Sequence, residues 1–293
     1  MRAETSPEVD YDRCVRCGRC VAVCAADLLE MGKEGPEPIG FCPCFVCGHC
    51  VAVCPTEAIS HPDMPPEGFV ELAPAEEAMD VEQLWDLLRR RRSVRQYTDE
   101  QVPEDVVMEL IEAATLAPSA LNEQEWHFTV IRDPARLQRI RRRIVAIYSN
   151  VVKMLKSRIN RLTLRLMIGS EAMDLLEEAE PVIRRIVEAY DEHEDRILWD
   201  APTLIVVHSP EGDPTAAESS HYATANMMLL ATAMGLGTCL IGFVTEVAER
   251  DERLKQYLRV PEHHHADAAL VVGYPDVQFL KSVAKREPPI EII

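Results

Sequence analysis

Basic residues are outnumbered in this 293-residue chain: 31 Lys and Arg stand against 49 Asp and Glu, a formal charge of −18 at neutral pH. Such a surface repels nucleic acid and anionic membrane over most of its area, so neither is expected as a partner. The amino terminus lacks an apolar stretch. Met1 to Asp12 holds four acidic residues, so neither a signal nor a transit peptide is expected and the cytoplasm is the expected compartment. Long uncharged runs are equally scarce. Ser219 to Thr245 carries no charge, but Asn226, several threonines and the Gly235/Gly237 pair divide it, which favours a core helix and a buried strand over a membrane span. Cysteine is nearly absent outside one stretch: nine of the ten lie between Cys14 and Cys54, and without a secretion signal that points to metal rather than disulfides.

Within that stretch the chain repeats itself. Cys14-Val-Arg-Cys17-Gly18-Arg-Cys20-Val-Ala-Val-Cys24 recurs thirty positions later as Cys44-Phe-Val-Cys47-Gly48-His-Cys50-Val-Ala-Val-Cys54. Three cysteines at C-x2-C-x2-C spacing wrap one face of a [4Fe–4S] cluster, and in a two-cluster arrangement the fourth ligand comes from the other half. The expected sets are therefore Cys14, Cys17, Cys20 and Cys54 for one cluster, and Cys44, Cys47, Cys50 and Cys24 for the other. Pro55 follows Cys54 as in bacterial ferredoxins, whereas Ala25 follows Cys24. Two Zn(Cys)4 sites are the competing reading, although zinc sites pair C-x2-C knuckles and have no use for a doubled three-cysteine run. Cys42 is surplus, either a free thiol beside a cluster or an alternative ligand, and Cys239 sits in an apolar run as a core residue.

The composition is ordinary for a soluble protein of about two domains, with 47% apolar and 27% charged residues. The repeat occupies an expected first domain at 1–62. Proline and acidic residues from His61 to Pro74 suggest a linker, placed at 63–79, and the second domain is expected at 80–293. Asp80 and Gln83 resemble a capping box ahead of a helix carrying Val81, Leu84, Trp85 and Leu88. A second helix follows Pro103 and ends by Ala117, because Pro118 disfavours α geometry before it. Strands are expected at Trp126–Ile131, Leu204–His208, Cys239–Val244 and Ala268–Gly273, and helices at Ser219–Met234 and up to Leu258. Between the first two strands, a helical stripe from Leu137 to Leu166, a break at Gly169-Ser170 and an acidic helix to about Tyr190 suggest a helical hairpin, an insertion at 143–200. The irregular order of strands and helices implies an α+β fold. Gly235-x-Gly237 lacks the third glycine of a dinucleotide fingerprint. His263-His264-His265 reads as a solvent-facing strand entry, since neighbouring side chains alternate.

Arg89 to Arg92, Ser93 and Arg95 form a basic cluster. A helix dipole accounts for Arg89 and Arg90, whereas guanidinium forks and a hydroxyl beyond the helix end suit a phosphate dianion. Here the sequence resembles the nitroreductase family of FMN enzymes, through Arg-Arg-Ser-Val-Arg-Gln-Tyr (91–97), the segment from Ala117-Pro118-Ser119 through Asn122, Gln124 and Trp126 to Phe128, Ala201-Pro202, Gly235 to Gly242, and Gly273-Tyr274-Pro275. With the cysteine run in front, the whole chain is similar to ferredoxin-fused nitroreductases. The resemblance implies a nitroreductase-like FMN fold in which Arg91, Arg92, Ser93 and Arg95 hold the FMN phosphate and ribityl chain. It also implies that Pro118, Ser119 and Asn122 border the isoalloxazine, that Ile241 and Gly242 approach it through backbone, and that Arg286, or else Lys285, makes a C-terminal phosphate contact. Glu125 stands where many members have proline.

The implied function is a flavin oxidoreductase that receives single electrons from an external ferredoxin or other low-potential donor, passes them through two clusters to FMN, and reduces a small nitro, quinone or activated-alkene substrate. No side chain need act as a nucleophile. The resemblance also implies a homodimer, and the apolar tail 289–293 suits docking on a partner. An electron-transfer or redox-sensing module that relays electrons to a protein partner is the competing reading. The hairpin is expected either to form a lid that sets substrate size or to serve as added scaffold.

Overall fold

The computed structural model describes residues 5–39, 43–74, 77 and 80–293; Cys42 lies outside them. The chain divides into two compact units, the first comprising Met1–Met79 together with Ser119–Gln124, the second Asp80–Pro118 and Glu125–Ile293.

The first unit is built from the repeat. Helices α1 (Arg19–Ala22) and α2 (His49–Ala52) are single turns entered through Gly18 and Gly48, both left-handed at φ 72° and 73°. Strand β1 (Glu8–Val9) pairs with β4 (Ile59–Ser60), and β2 (Leu29–Met31) with β3 (Pro36–Pro38), all antiparallel. The same unusual backbone recurs in each half: Arg16 and Val46 have φ of 53° and 51°, and Asp27 and Glu57 of 48° and 51°. A left-handed residue costs about 1–2 kcal/mol, and for a β-branched valine it is a true outlier. Arg16 and Val46 fall between the first two cysteines of each run, where the loop must curl tightly to aim the thiols inward, and Asp27 and Glu57 fall three residues after each run's last cysteine.

The second unit is a four-stranded antiparallel sheet of order β5-β6-β8-β7, made of β5 (His127–Ile131), β6 (Thr203–Pro210), β7 (Gly237–Leu240) and β8 (His264–Gly273). Its central strands are apolar on both faces because both faces are covered. Leu204 and Val206 look into a core with Ile140 and Ile144 of α5 (Pro134–Lys156), Ile183 and Ile186 of α7 (Ser170–Asp191), Val244 of α9 (Gly242–Ala248) and Leu254 of α10 (Glu252–Leu258). Ile205 and Val207 look the other way, onto Leu110 of α4 (Glu104–Thr115) and Met227 of α8 (Ala216–Ala233). The uncharged run thus forms a core helix and a short strand, and no helix among the described residues is long and apolar enough to cross a membrane.

Several local expectations are corrected. The strand expected over Cys239–Val244 stops at Leu240. Ile241 still donates its N–H to Ala269 O at 2.8 Å, but Gly242 then opens α9. The stripe expected from Leu137 to Leu166 is two helices, because Ser157 leaves helical geometry and caps α6 (Arg158–Ile168) through Asn160 N–H. Asp80 caps α3 (Val81–Arg90) by accepting from Glu82 rather than through a box with Gln83, and Val81, Leu84, Trp85 and Leu88 are exposed. Of the three consecutive histidines, His264 turns from solvent toward His208, with their Nδ1 atoms 3.0 Å apart.

Candidate metal and cofactor sites

The first unit contains two cysteine-lined cavities. Cys14, Cys17, Cys20 and Cys54 line one, covered by Val15 and Ile59; Cys24, Cys44, Cys47 and Cys50 line the other, covered by Leu28, Leu29 and Phe45. Each cavity takes three thiols from one half of the repeat and the fourth from the other. The donor set also includes amides: Leu28 N–H points at Cys24 Sγ at 3.3 Å, Ala58 N–H at Cys54 Sγ at 3.2 Å and Val46 N–H at Cys44 Sγ at 3.3 Å. The first two occupy equivalent positions of the repeat, and such donors favour thiolate over thiol. Burial pushes the Cys50 thiol up to about 11 and also raises Cys20 and Cys44. Thiols converging on one cavity, with amide donors aimed at their sulfurs, suit a positive centre that takes the place of their protons, as an iron–sulfur cluster does. At Cys54, burial is outweighed by hydrogen bonds from Thr56 and Ala58, and its thiol is lowered.

Within this unit the side chain of Asn122 ties the loop Ser119–Gln124 to the second cysteine run. Asn122 donates its amide to Val46 O at 2.7 Å and Phe45 O at 3.3 Å, and its Oδ1 accepts from Gln124 Nε2 at 3.1 Å. Ser119 Oγ accepts from Gln124 N–H at 3.1 Å. Leu121, Asn122 and Gln124 all have positive φ. The Asn122 amide expected at an isoalloxazine is therefore committed to the loop between Cys44 and Cys47. Pro118, in the second unit, is exposed.

In the second unit, α3 ends at Arg90 with Arg91 as its cap, and the chain runs extended beside β7: Val94 N–H donates to Thr238 O at 2.9 Å and Ser93 bridges Thr238. This lays Arg91, Ser93 and Arg95 around the buried Cys239. Burial raises the Cys239 thiol, with Arg95, Ser93 and Arg91 opposing the shift. Neither Arg91 nor Arg95 has a carboxylate partner among the described residues, and the buried Thr238 Oγ1 beside them has no hydrogen-bond partner. Two unpaired guanidiniums, a hydroxyl and an orphaned buried oxygen fit a phosphate with its attached polyol. A Cβ at Gly242 would meet nothing within 4 Å, so its backbone is open to a planar ring. Ile241 is buried at the head of α9.

Arg92 and the tail cations are not gathered with Arg91 and Arg95. Arg92 turns its guanidinium to the carbonyls of Arg91 at 2.8 Å and Lys281 at 3.2 Å. Lys285 and Arg286 are exposed on the extended tail, with no bond to the arginine cluster among the described residues. Conversely, Trp199 stacks on Arg95, and Phe243 follows Gly242. Trp199, Phe243, Arg196 and the α7 residues Pro181, Val182, Arg185 and Ile186 line an open, mainly apolar cavity of about 320 Å³. Neither aromatic had a sequence signal, since Trp199 lies in an irregular segment at φ 59°.

Residues 88–274 match the nitroreductase family, and residues 6–29 match a 4Fe-4S binding domain. An NADH dehydrogenase of Thermus thermophilus is 27% identical over 64% of this chain and 83% of its own length. An iodotyrosine deiodinase of Thermotoga neapolitana is 26% identical over 67% and 90%. Among solved structures, a nitroreductase with bound FMN from Bacteroides fragilis shares the fold at a TM-score of 0.56 and 24% identity, covering 72% of this chain and 98% of that one.

Proposed function

Because the chain belongs to the nitroreductase family, we propose that it is an FMN oxidoreductase fed with single electrons through two [4Fe–4S] clusters, reducing a small nitro, quinone or activated-alkene substrate by two electrons. The observation that carries the reading is the crosswise pairing of the cysteines, three from one half and one from the other in each cavity. Cys14, Cys17, Cys20 and Cys54 would hold one cluster and Cys44, Cys47, Cys50 and Cys24 the other. Arg91, Ser93, Arg95 and Thr238 would bind the FMN phosphate and ribityl chain, with Ile241 and Gly242 beside the ring. Bound together, such groups supply the exchange between one-electron and two-electron chemistry. The protein's residues position them: unpaired guanidiniums neutralise the phosphate, Leu28 and Ala58 N–H groups stabilise thiolates, and Trp199 fixes Arg95 in place.

A homodimer is part of this reading, supported by the exposed stripe of α3 and the apolar tail, with Ile290 76% and Ile292 93% exposed. The electron donor is proposed to be a ferredoxin-class carrier in the cytoplasm. Anaerobic purification followed by iron, zinc and flavin analysis tests the proposal: about eight irons and one FMN per chain, with nitroaromatic turnover, are expected. Stoichiometric zinc without iron overturns the cluster reading. Bound flavin without turnover of any small acceptor favours a relay to a protein partner.

A further inference from the structure

At one end of the sheet three imidazoles from three strands converge. His127 of β5 is the register partner of His208 of β6, and His264 of β8 lies two residues before Ala266, the partner of His208 on the other side. A bulge between Val207 and His208 brings all three to one face. Their ring centroids are 5.6 Å (His127–His208), 4.9 Å (His127–His264) and 5.1 Å (His208–His264) apart.

Those spacings match a single tetrahedral ion. Zinc–nitrogen bonds of about 2.0–2.1 Å place each ring centroid roughly 3.2 Å from the metal, so tetrahedral ligands have centroids about 5.2 Å apart and bonded nitrogens about 3.3 Å apart. The Nδ1 atoms of His208 and His264 are 3.0 Å apart. Thr129 Oγ1 lies 3.2 Å from His208 Nε2, and an Nε2–H donated there leaves a lone pair on Nδ1 facing His264. Such an outer partner is what orients a ligating histidine. We propose that His127, His208 and His264 form a zinc site, with solvent in the fourth position. The three ring nitrogens do not converge on one centre in the structure, so binding would require the exposed His127 to reorient its ring. The site lies at the strand ends and uses no residue of the proposed flavin or cluster sites.

The test uses the holoprotein, iron–sulfur clusters and flavin intact, stripped of loose metal on a chelating resin and titrated with Co²⁺. One equivalent per chain is expected, with the visible bands of a tetrahedral nitrogen–oxygen site, no sulfur-to-cobalt charge transfer, and displacement by Zn²⁺. His127→Ala, an exposed change that does not threaten the fold, should weaken Co²⁺ at least as much as the roughly 10–100-fold typical of losing an outer-shell partner. His264→Gln should do the same while iron and flavin contents stay at parent levels. Absence of Co²⁺ uptake, uptake with a thiolate signature, or uptake unchanged in both variants overturns the proposal.

Discussion

The Arg95 guanidinium carbon lies 5.6 Å from the centroid of the Trp199 ring, and on the same indole the Arg196 guanidinium carbon lies at 5.8 Å. The tryptophan thus presents its rings to two cations; Arg196 pairs with Glu194, whereas Arg95 has no carboxylate partner among the described residues. The proposed flavin site assigns Arg95 to the FMN phosphate. Arg95→Ala should weaken FMN binding by about 1.5–3 kcal/mol, the usual worth of a charge-assisted hydrogen bond. The FMN dissociation constant of the released flavin measures it, and an unchanged value removes Arg95 from the site.

The cluster cavities are expected to fail one at a time. Cys17 is the exposed member of its set, so Cys17→Ala leaves the core intact. Iron should fall from about eight to about four per chain with FMN retained. Loss of flavin along with the iron would show that the two units do not fold independently.

Gly18 and Gly48 occupy the same place in the repeat but not the same surroundings. A Cβ at Gly18 would meet nothing within 4 Å, whereas at Gly48 it would lie 3.1 Å from Met64 Sδ and 3.2 Å from Phe69. Both alanine variants incur the left-handed backbone cost of about 1–2 kcal/mol, and only Gly48→Ala adds crowding. Thermal loss of cluster absorbance should therefore come at a lower temperature in Gly48→Ala than in Gly18→Ala. Equal midpoints would mean that the methyl is absorbed by the flexible methionine.

Val182, 54% exposed at the rim of the cavity formed with Trp199 and Phe243, tests whether α7 acts as a lid. Val182→Trp should fill much of that space and raise KM for bulky acceptors several-fold while leaving small ones and FMN content unchanged. The same ratio of bulky to small substrate turnover as in the parent would make the hairpin a scaffold.

Acid should loosen the sheet end. The folded His208 imidazole is depressed to about 4, mainly by burial, below an unfolded value of about 6.5. The unfolded chain therefore binds the extra proton first. The stabilisation is complete above about pH 6.5 and is lost as pH falls toward 4. Melting curves between pH 7 and 4.5 should show a steeper decline for the parent than for His208→Gln. Parallel declines would show that other groups dominate.

Much of this was legible in local spacing. The cysteine repeat anticipated which thiols line each of the two cavities, because each lining is built from short-range runs, and the order of Arg91–Arg95, Gly235–Gly242 and Gly273–Pro275 marked the segments that meet beside β7. What the sequence concealed depends on contacts between distant segments. Asn122 read as a flavin neighbour, yet its amide is used 76 residues away on Val46. The three-histidine run drew attention to adjacent residues, whereas it is His264 that turns toward other imidazoles, and these, His127 and His208, sit alone on other strands. Arg92 belongs to the basic motif but is drawn off by carbonyls of α3 and the tail.

Because Ser119–Gln124 belongs to the first unit while the residues on either side belong to the second, the border between the modules is not a point in the gene. A fragment starting at Asp80 would carry a left-handed loop stripped of the carbonyls that hold Asn122, and one ending at Met79 would leave the Cys44–Cys47 turn without its clasp. Swapping the amino-terminal unit for one from another protein therefore means transplanting two pieces of chain, the second of them six residues long and buried in the sequence of its neighbour.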